Sequence, residues 1–90
     1  MAKRVVHRHH HRKKFVKEVD EKILAGVPVK IHKDLEPTCF TYDDNYWNVY
    51  VNGVLMVVGA NRDFTIDKEL MITFSFDIEP NDVIAVSVVY

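Results

Sequence analysis

The chain reads as mainly β: a small antiparallel β-sandwich or open barrel with a basic N-terminal arm and one short helix. Three observations lead there. Asn52-Gly53 sits between the apolar runs YWNVYV and VLMVV, and both residues tolerate the positive φ that a two-residue type I′ hairpin turn demands. Leu70, Ile72, Phe74 and Phe76 alternate with Met71, Thr73, Ser75 and Asp77, the period of a half-buried strand. Turn chemistry recurs at short spacing, as in Glu79-Pro80-Asn81-Asp82, which is the rhythm of an all-β domain.

Ninety residues make one domain, of a size that buries only about 60–65% of its unfolded surface, so neighbours matter to its stability. The expected organisation is an extended arm over residues 1–14, a docking helix over 15–26 and a β body over 27–90. Lys3, Arg4, Arg8, Arg12, Lys13 and Lys14 give the arm six positive charges and no negative one. The rest of the chain holds six basic residues against all thirteen acidic ones. A cationic arm on an anionic body repels itself and orders only against something negative. The leading reading is an acidic surface on a sister or partner subunit; the alternative is nucleic-acid phosphate, without the aromatic side chains of a stacking platform. The basic start has no apolar stretch behind it and does not read as a secretory signal, and no apolar run approaches the roughly 20 residues of a membrane span.

Phe15, Val16, Val19 and Ile23 fall on one stripe at helical spacing, and Glu18 and Lys22 form an i, i+4 pair in the favourable order. Gly26 and Pro28 then stop the helix. At three turns or fewer it must pack on something, so Phe15, Val19 and Ile23 join the arm as candidate partner-binding residues. Val27, Val29 and Ile31 alternate with polar positions as a strand, with Pro28 marking an edge or a first residue. Asp34 to Pro37 is a turn, residues 38–42 a second β-prone run, and Asp43-Asp44-Asn45 a turn before the central hairpin. In that hairpin Val51 is expected opposite Val54, Val49 opposite Met56 and Trp47 opposite Val58, on a core-facing side. Asn48, Tyr50, Leu55 and Val57 take the other side, where Tyr50 is the candidate interface aromatic. After a loop at 59–62, Phe64 and Ile66 begin a strand. The last strand, from Val83, is apolar on both faces, as befits a central strand or one covered by a subunit.

The ordered set Val49-Tyr50-Val51-Asn52-Gly53-Val54-Leu55, Arg62-Asp63-Phe64-Thr65-Ile66, Met71-Ile72-Thr73-Phe74 and Pro80-Asn81-Asp82-Val83-Ile84-Ala85-Val86 resembles a β-module of tailed-bacteriophage virion proteins, frequent in tail fibres and their attachment regions. The resemblance covers residues 46–90, with Asn81 standing where glycine is usual. It implies a virion structural protein, assembled in the host cytoplasm: a capsid decoration or cement protein, or a head-tail or fibre adaptor, docking on major capsid or other virion subunits as a homo-oligomer. It implies no catalytic residue.

Other motifs have plainer readings. His7, His9, His10 and His11 are metal-ligand chemistry, yet the arginines among them repel a cation and no cysteine or carboxylate is near, so they read as part of a basic tether. Asp43 and Asp44 lack the spacing of a calcium loop. Cys39, the single cysteine, excludes an internal disulfide and has only His32 as a prospective base, so it reads as a buried core residue. With no glycine-rich phosphate loop and no hydrolase elbow, no enzymatic activity, cofactor or metal is expected.

Overall fold

The computed structural model describes residues 12–37, 40 and 47–89. Seven strands occupy them: β1 (Arg12–Glu18), β2 (Pro28–Val29), β3 (Trp47–Val51), β4 (Val54–Leu55), β5 (Phe64–Ile66), β6 (Ile72–Phe74) and β7 (Val83–Val89). They form a four-stranded sheet in the order β1-β7-β3-β4 and a three-stranded sheet in the order β2-β6-β5, with every strand pair antiparallel. The inner faces enclose one core. Phe15, Val49, Val86 and Ile84 from the larger sheet meet Val29, Ile72, Phe64 and Phe74 from the smaller, with Leu35, Leu70 and Ile78 supplied by the connections.

One long ribbon ties the two sheets together. Residues 12–18 pair with 89–83 in the larger sheet, and residues 28–29 pair with 73–72 in the smaller. Between them the ladder continues through Val19 N–H to the Asp82 carbonyl at 2.9 Å, the Ile23↔Ile78 bridge and Gly26 N–H to the Phe74 carbonyl at 2.9 Å. The pairings of 12–18, Ile23 and 28–29 share one register despite the turns at 24–27 and 79–82, so residues 12–29 run as an antiparallel companion to 72–89 that passes from one layer to the next.

This ribbon overturns the helix expected over 15–26: among the described residues there is no helix. Phe15 and Val19 are 3% and 2% exposed inside the protein's own core, and Ile23 is partly buried against it. Helical spacing of four apolar residues is a weak local signal. The partner strand, about seventy residues away in sequence at β1, satisfies the backbone of this segment and outweighs that signal. Lys17 hides the strand period by standing between Phe15 and Val19 on the inner side, half-buried at the sheet edge. The arm boundary moves as well, because Arg12, Lys13 and Lys14 belong to β1.

The central hairpin turns where expected. Asn52 (φ 52°) and Gly53 (φ 83°) hold the two left-handed positions of its turn, and Val51 pairs with Val54 and Tyr50 with Leu55. Met56 N–H still reaches the Val49 carbonyl at 2.7 Å. Beyond that the expected pairing of Trp47 with Val58 fails. Asp63 takes both backbone groups of Val57, its carboxylate accepting from Val57 N–H at 2.8 Å and its own N–H donating to the Val57 carbonyl at 2.9 Å. That ends the ladder; Val58 bridges Phe64, and Trp47 pairs instead with Val88. As the two-sided apolar sequence implies, β7 is central, with β1 on one side and β3 on the other. Pro28 opens β2 at the edge of the smaller sheet.

Candidate docking face

The outer face of the larger sheet is assembled by register. Val16 of β1 lies opposite Ala85 of β7, Ala85 opposite Tyr50 of β3, and Tyr50 opposite Leu55 of β4. Residues directly across antiparallel strands share a side, so these four form an apolar row across the whole sheet on the side away from the core. Val16 is 55% exposed and Leu55 54%, and Tyr50 and Ala85 are half-buried between them. Val54 and Val57 add exposed apolar surface at the β4 end.

Charge borders the row asymmetrically. Two residues along each strand toward the Val89 end lie Lys14, Ser87 and Asn48, followed by Arg12 beside Val89. Arg12 Nη1 donates to Ser87 Oγ at 2.9 Å, which holds the guanidinium across the sheet and buries the serine. On the opposite side of the row stands Glu18, opposite Val83. Lys13 points to the inner side of the edge strand, its ammonium 5.9 Å from the centre of the Phe15 ring.

At the Glu18 end of the sheet two turns meet in a hydrogen-bonded corner. Asn52 Nδ2 donates to Asp82 Oδ1 at 2.9 Å, Asp82 Oδ2 accepts from Glu79 N–H at 2.8 Å, and Val83 N–H donates to Asn52 Oδ1 at 2.9 Å. These donors favour the carboxylate and hold the Asp82 pKa below its ordinary value, the Asn52 side chain contributing most and the Glu79 backbone next. Two turns are thereby fastened to each other, and Asn81 (φ 76°) takes the left-handed position of the 79–82 turn, as glycine does.

Of the residues expected to bind a partner, Arg12, Lys14 and Tyr50 share this outer face, with Lys13 on the same strand. Phe15 and Val19 do not reach a partner, because they are core. Ile23 lies outside the row. Lys3, Arg4, Arg8 and the histidines at 7 and 9–11 lie outside the described residues, as do Cys39, Asp43 and Asp44. His32 Nδ1 accepts from Asp34 N–H at 3.0 Å, and its ring centre lies 5.1 Å from that of Phe15. Among the described residues no three His, Cys, Asp or Glu side chains gather to hold a metal, and no helix is long and apolar enough to cross a membrane. The reading that Tyr50 and Leu55 share an outward face came from the hairpin turn alone. Val16 escaped it because a helical assignment removes that residue from the sheet.

Fold and face together define an antiparallel two-sheet β protein with an apolar stripe between a basic and an acidic border. Comparison with protein-family models, with curated proteins and with solved structures finds no match.

Proposed function

We propose that this chain is a structural protein of a bacteriophage virion, a capsid decoration or cement protein or a head-tail or fibre adaptor, that docks on larger subunits through its outer sheet face and the basic residues leading into β1. The observation that carries this reading is the outward apolar row Val16–Ala85–Tyr50–Leu55, exposed at its two ends, lying beside Arg12 and Lys14. The phage assignment itself is supported by the ordered motif series over residues 46–90.

Size explains why face and arm act together. Four strands at about 4.8 Å spacing and up to seven residues at about 3.3 Å rise give a flat footprint of about 450 Å². A stable specific interface takes about 800 Å² from each partner. The sheet face alone falls short, and the basic residues ahead of β1, Lys3, Arg4 and Arg8, supply the remainder. The face is also self-complementary. A second copy related by a two-fold axis along the row sets Val16 on Val16, Tyr50 on Tyr50 and Lys14 against Glu18, which is how a homo-oligomer uses one patch twice.

The test is particle occupancy. Deleting residues 2–11, which stops short of β1, leaves a folded body that no longer stays on particles, and Leu55→Lys lowers occupancy with the arm intact. Retention falls with salt, since exposed charges are screened over about 10 Å at 0.1 M. Unchanged occupancy in both variants overturns the reading. Steeply salt-dependent binding of the full chain to DNA, lost on the same deletion, transfers the arm to the nucleic-acid alternative.

A further inference from the structure

A concavity lies on the other layer of the sandwich, on β5 and β6. It is a cleft of about 390 Å³ over the outer side of β5 and β6, walled by the 59–62 loop and by Ala25 and Gly26. That volume is at the small end of ligand clefts, which run from about 300 to 1,000 Å³.

Strand period puts three hydroxyls into it. Thr65 of β5 lies directly opposite Thr73 of β6, and Ser75, two residues beyond Thr73, lines the same cleft. Phe64 and Phe74 alternate with them and turn inward to the core, which leaves an apolar floor under a polar row. Neither threonine hydroxyl nor that of Ser75 has a hydrogen-bond partner among the described residues. The guanidinium of Arg62 has neither a hydrogen-bond nor an ion-pair partner there; the ion pairs of the described residues belong to Lys22, Lys30 and His32. The adjacent acid, Asp63, is engaged with Val57 N–H.

The backbone is shaped around that arginine. Arg62 N–H donates to the Gly59 carbonyl at 3.0 Å, closing a turn that lays the arginine stem over Gly59. A Cβ on residue 59 would stand 2.8 Å from Arg62 Cγ, and Gly59 has φ 145°, so any larger residue displaces the stem. Arg62, Thr65, Thr73 and Ser75 thus line one cleft, and a guanidinium with three hydroxyl side chains is a set that matches an oxyanion carried on a hydroxylated ring.

We infer that this cleft binds a small acidic saccharide, with Arg62 pairing the carboxylate or phosphate and Thr65, Thr73 and Ser75 reading the ring hydroxyls. The guanidinium meets a planar carboxylate or a phosphate in a fork, and the hydroxyls both donate and accept, as sugar recognition requires. The site is independent of assembly, so it is tested on the isolated full-length chain.

Amide chemical shifts are followed by NMR while glucuronate, glucose 6-phosphate, glucose and inorganic phosphate are titrated separately. The expected result is saturable shifts at Gly26, residues 59–62, Thr65 and residues 73–75, with one of the acidic sugars at least about tenfold tighter than both glucose and phosphate alone. Arg62→Gln abolishes that preference and Thr73→Val weakens binding several-fold, while the Val16 and Tyr50 amides stay unmoved in every titration. Absence of shifts with either acidic sugar overturns the inference. So does equal affinity for glucose, or phosphate binding as tightly as glucose 6-phosphate with no response to glucuronate.

Discussion

Leu70 adopts φ 62°, a left-handed conformation that glycine normally takes, and is fully buried. Its N–H donates to the Asp67 carbonyl at 2.9 Å, and Asp67 Oδ1 accepts from both Glu69 N–H at 2.9 Å and Met71 N–H at 3.0 Å, so the tight loop is pinned by one carboxylate. The conformation costs about 1–2 kcal/mol for a residue with a side chain. Burying a leucine is worth about 1.5–3 kcal/mol, so the core contact prevails. Leu70→Ala keeps the cost and loses the contact, and should destabilise by about 2–5 kcal/mol in urea unfolding. Leu70→Gly, free of the cost, should be no worse than Leu70→Ala despite removing another carbon. The Asp82 corner makes a separate prediction. Because the folded carboxyl titrates below its ordinary value near 3.8, the stability it adds is full above that value and is lost as pH falls through the lowered one. The stability gap between the wild type and Asp82→Ala should be constant from pH 5 to 7 and close on acidification below about pH 4. A gap that does not narrow on acidification contradicts the assignment.

At the level of elements, the parts of the fold legible in sequence were those written locally. The Asn52-Gly53 turn needs only neighbouring residues and stands as read, whereas of the alternation from Leu70 to Asp77 only Ile72–Phe74 is paired as a strand, Leu70 being the left-handed residue of the preceding loop. The ribbon of residues 12–29 was not legible, since its partner lies at 72–89 and nothing near Phe15 announces it. Four apolar residues at spacings of one, three and four suit a helix as well as they suit a strand interrupted by Lys17. The end of the hairpin at Leu55 was equally hidden, because it depends on Asp63 reaching back to Val57. The docking row suffered the same fate: Tyr50 and Leu55 came from the turn, Val16 only from the pairing of β1 with β7. Serial truncation checks the ribbon. Removing residues 2–11 should leave the thermal midpoint within a few degrees, whereas removing 2–18 strips Phe15 and the hydrogen-bond partners of β7. By analogy with buried Phe→Ala changes, that loss is at least about 3–5 kcal/mol. If 15–26 were a separate docking helix, the two truncations would behave alike.

Across the whole molecule, chain order and spatial order differ in a way that shapes use. The strand nearest the start lies against the strand nearest the end, from Arg12↔Val89 onward, and β7 is then covered on its far side by the mid-chain β3. Most of the pairing therefore joins distant parts of the chain, which is slow to form. The same arrangement separates the two candidate surfaces: the row of Val16, Tyr50 and Leu55 is built on β1, β3, β4 and β7, and the Arg62 cleft on β5 and β6. A protein held to a particle by the first surface keeps the second open on its other layer. Meanwhile Arg12 and Val89 meet at one corner, so a fluorescent reporter or affinity handle placed on either residue occupies the same spot, close to Lys14 and the end of the apolar face. Such a label would crowd the very contact it was meant to observe; an insertion at Lys68-Glu69, on the exposed tip of the other layer, would leave it undisturbed.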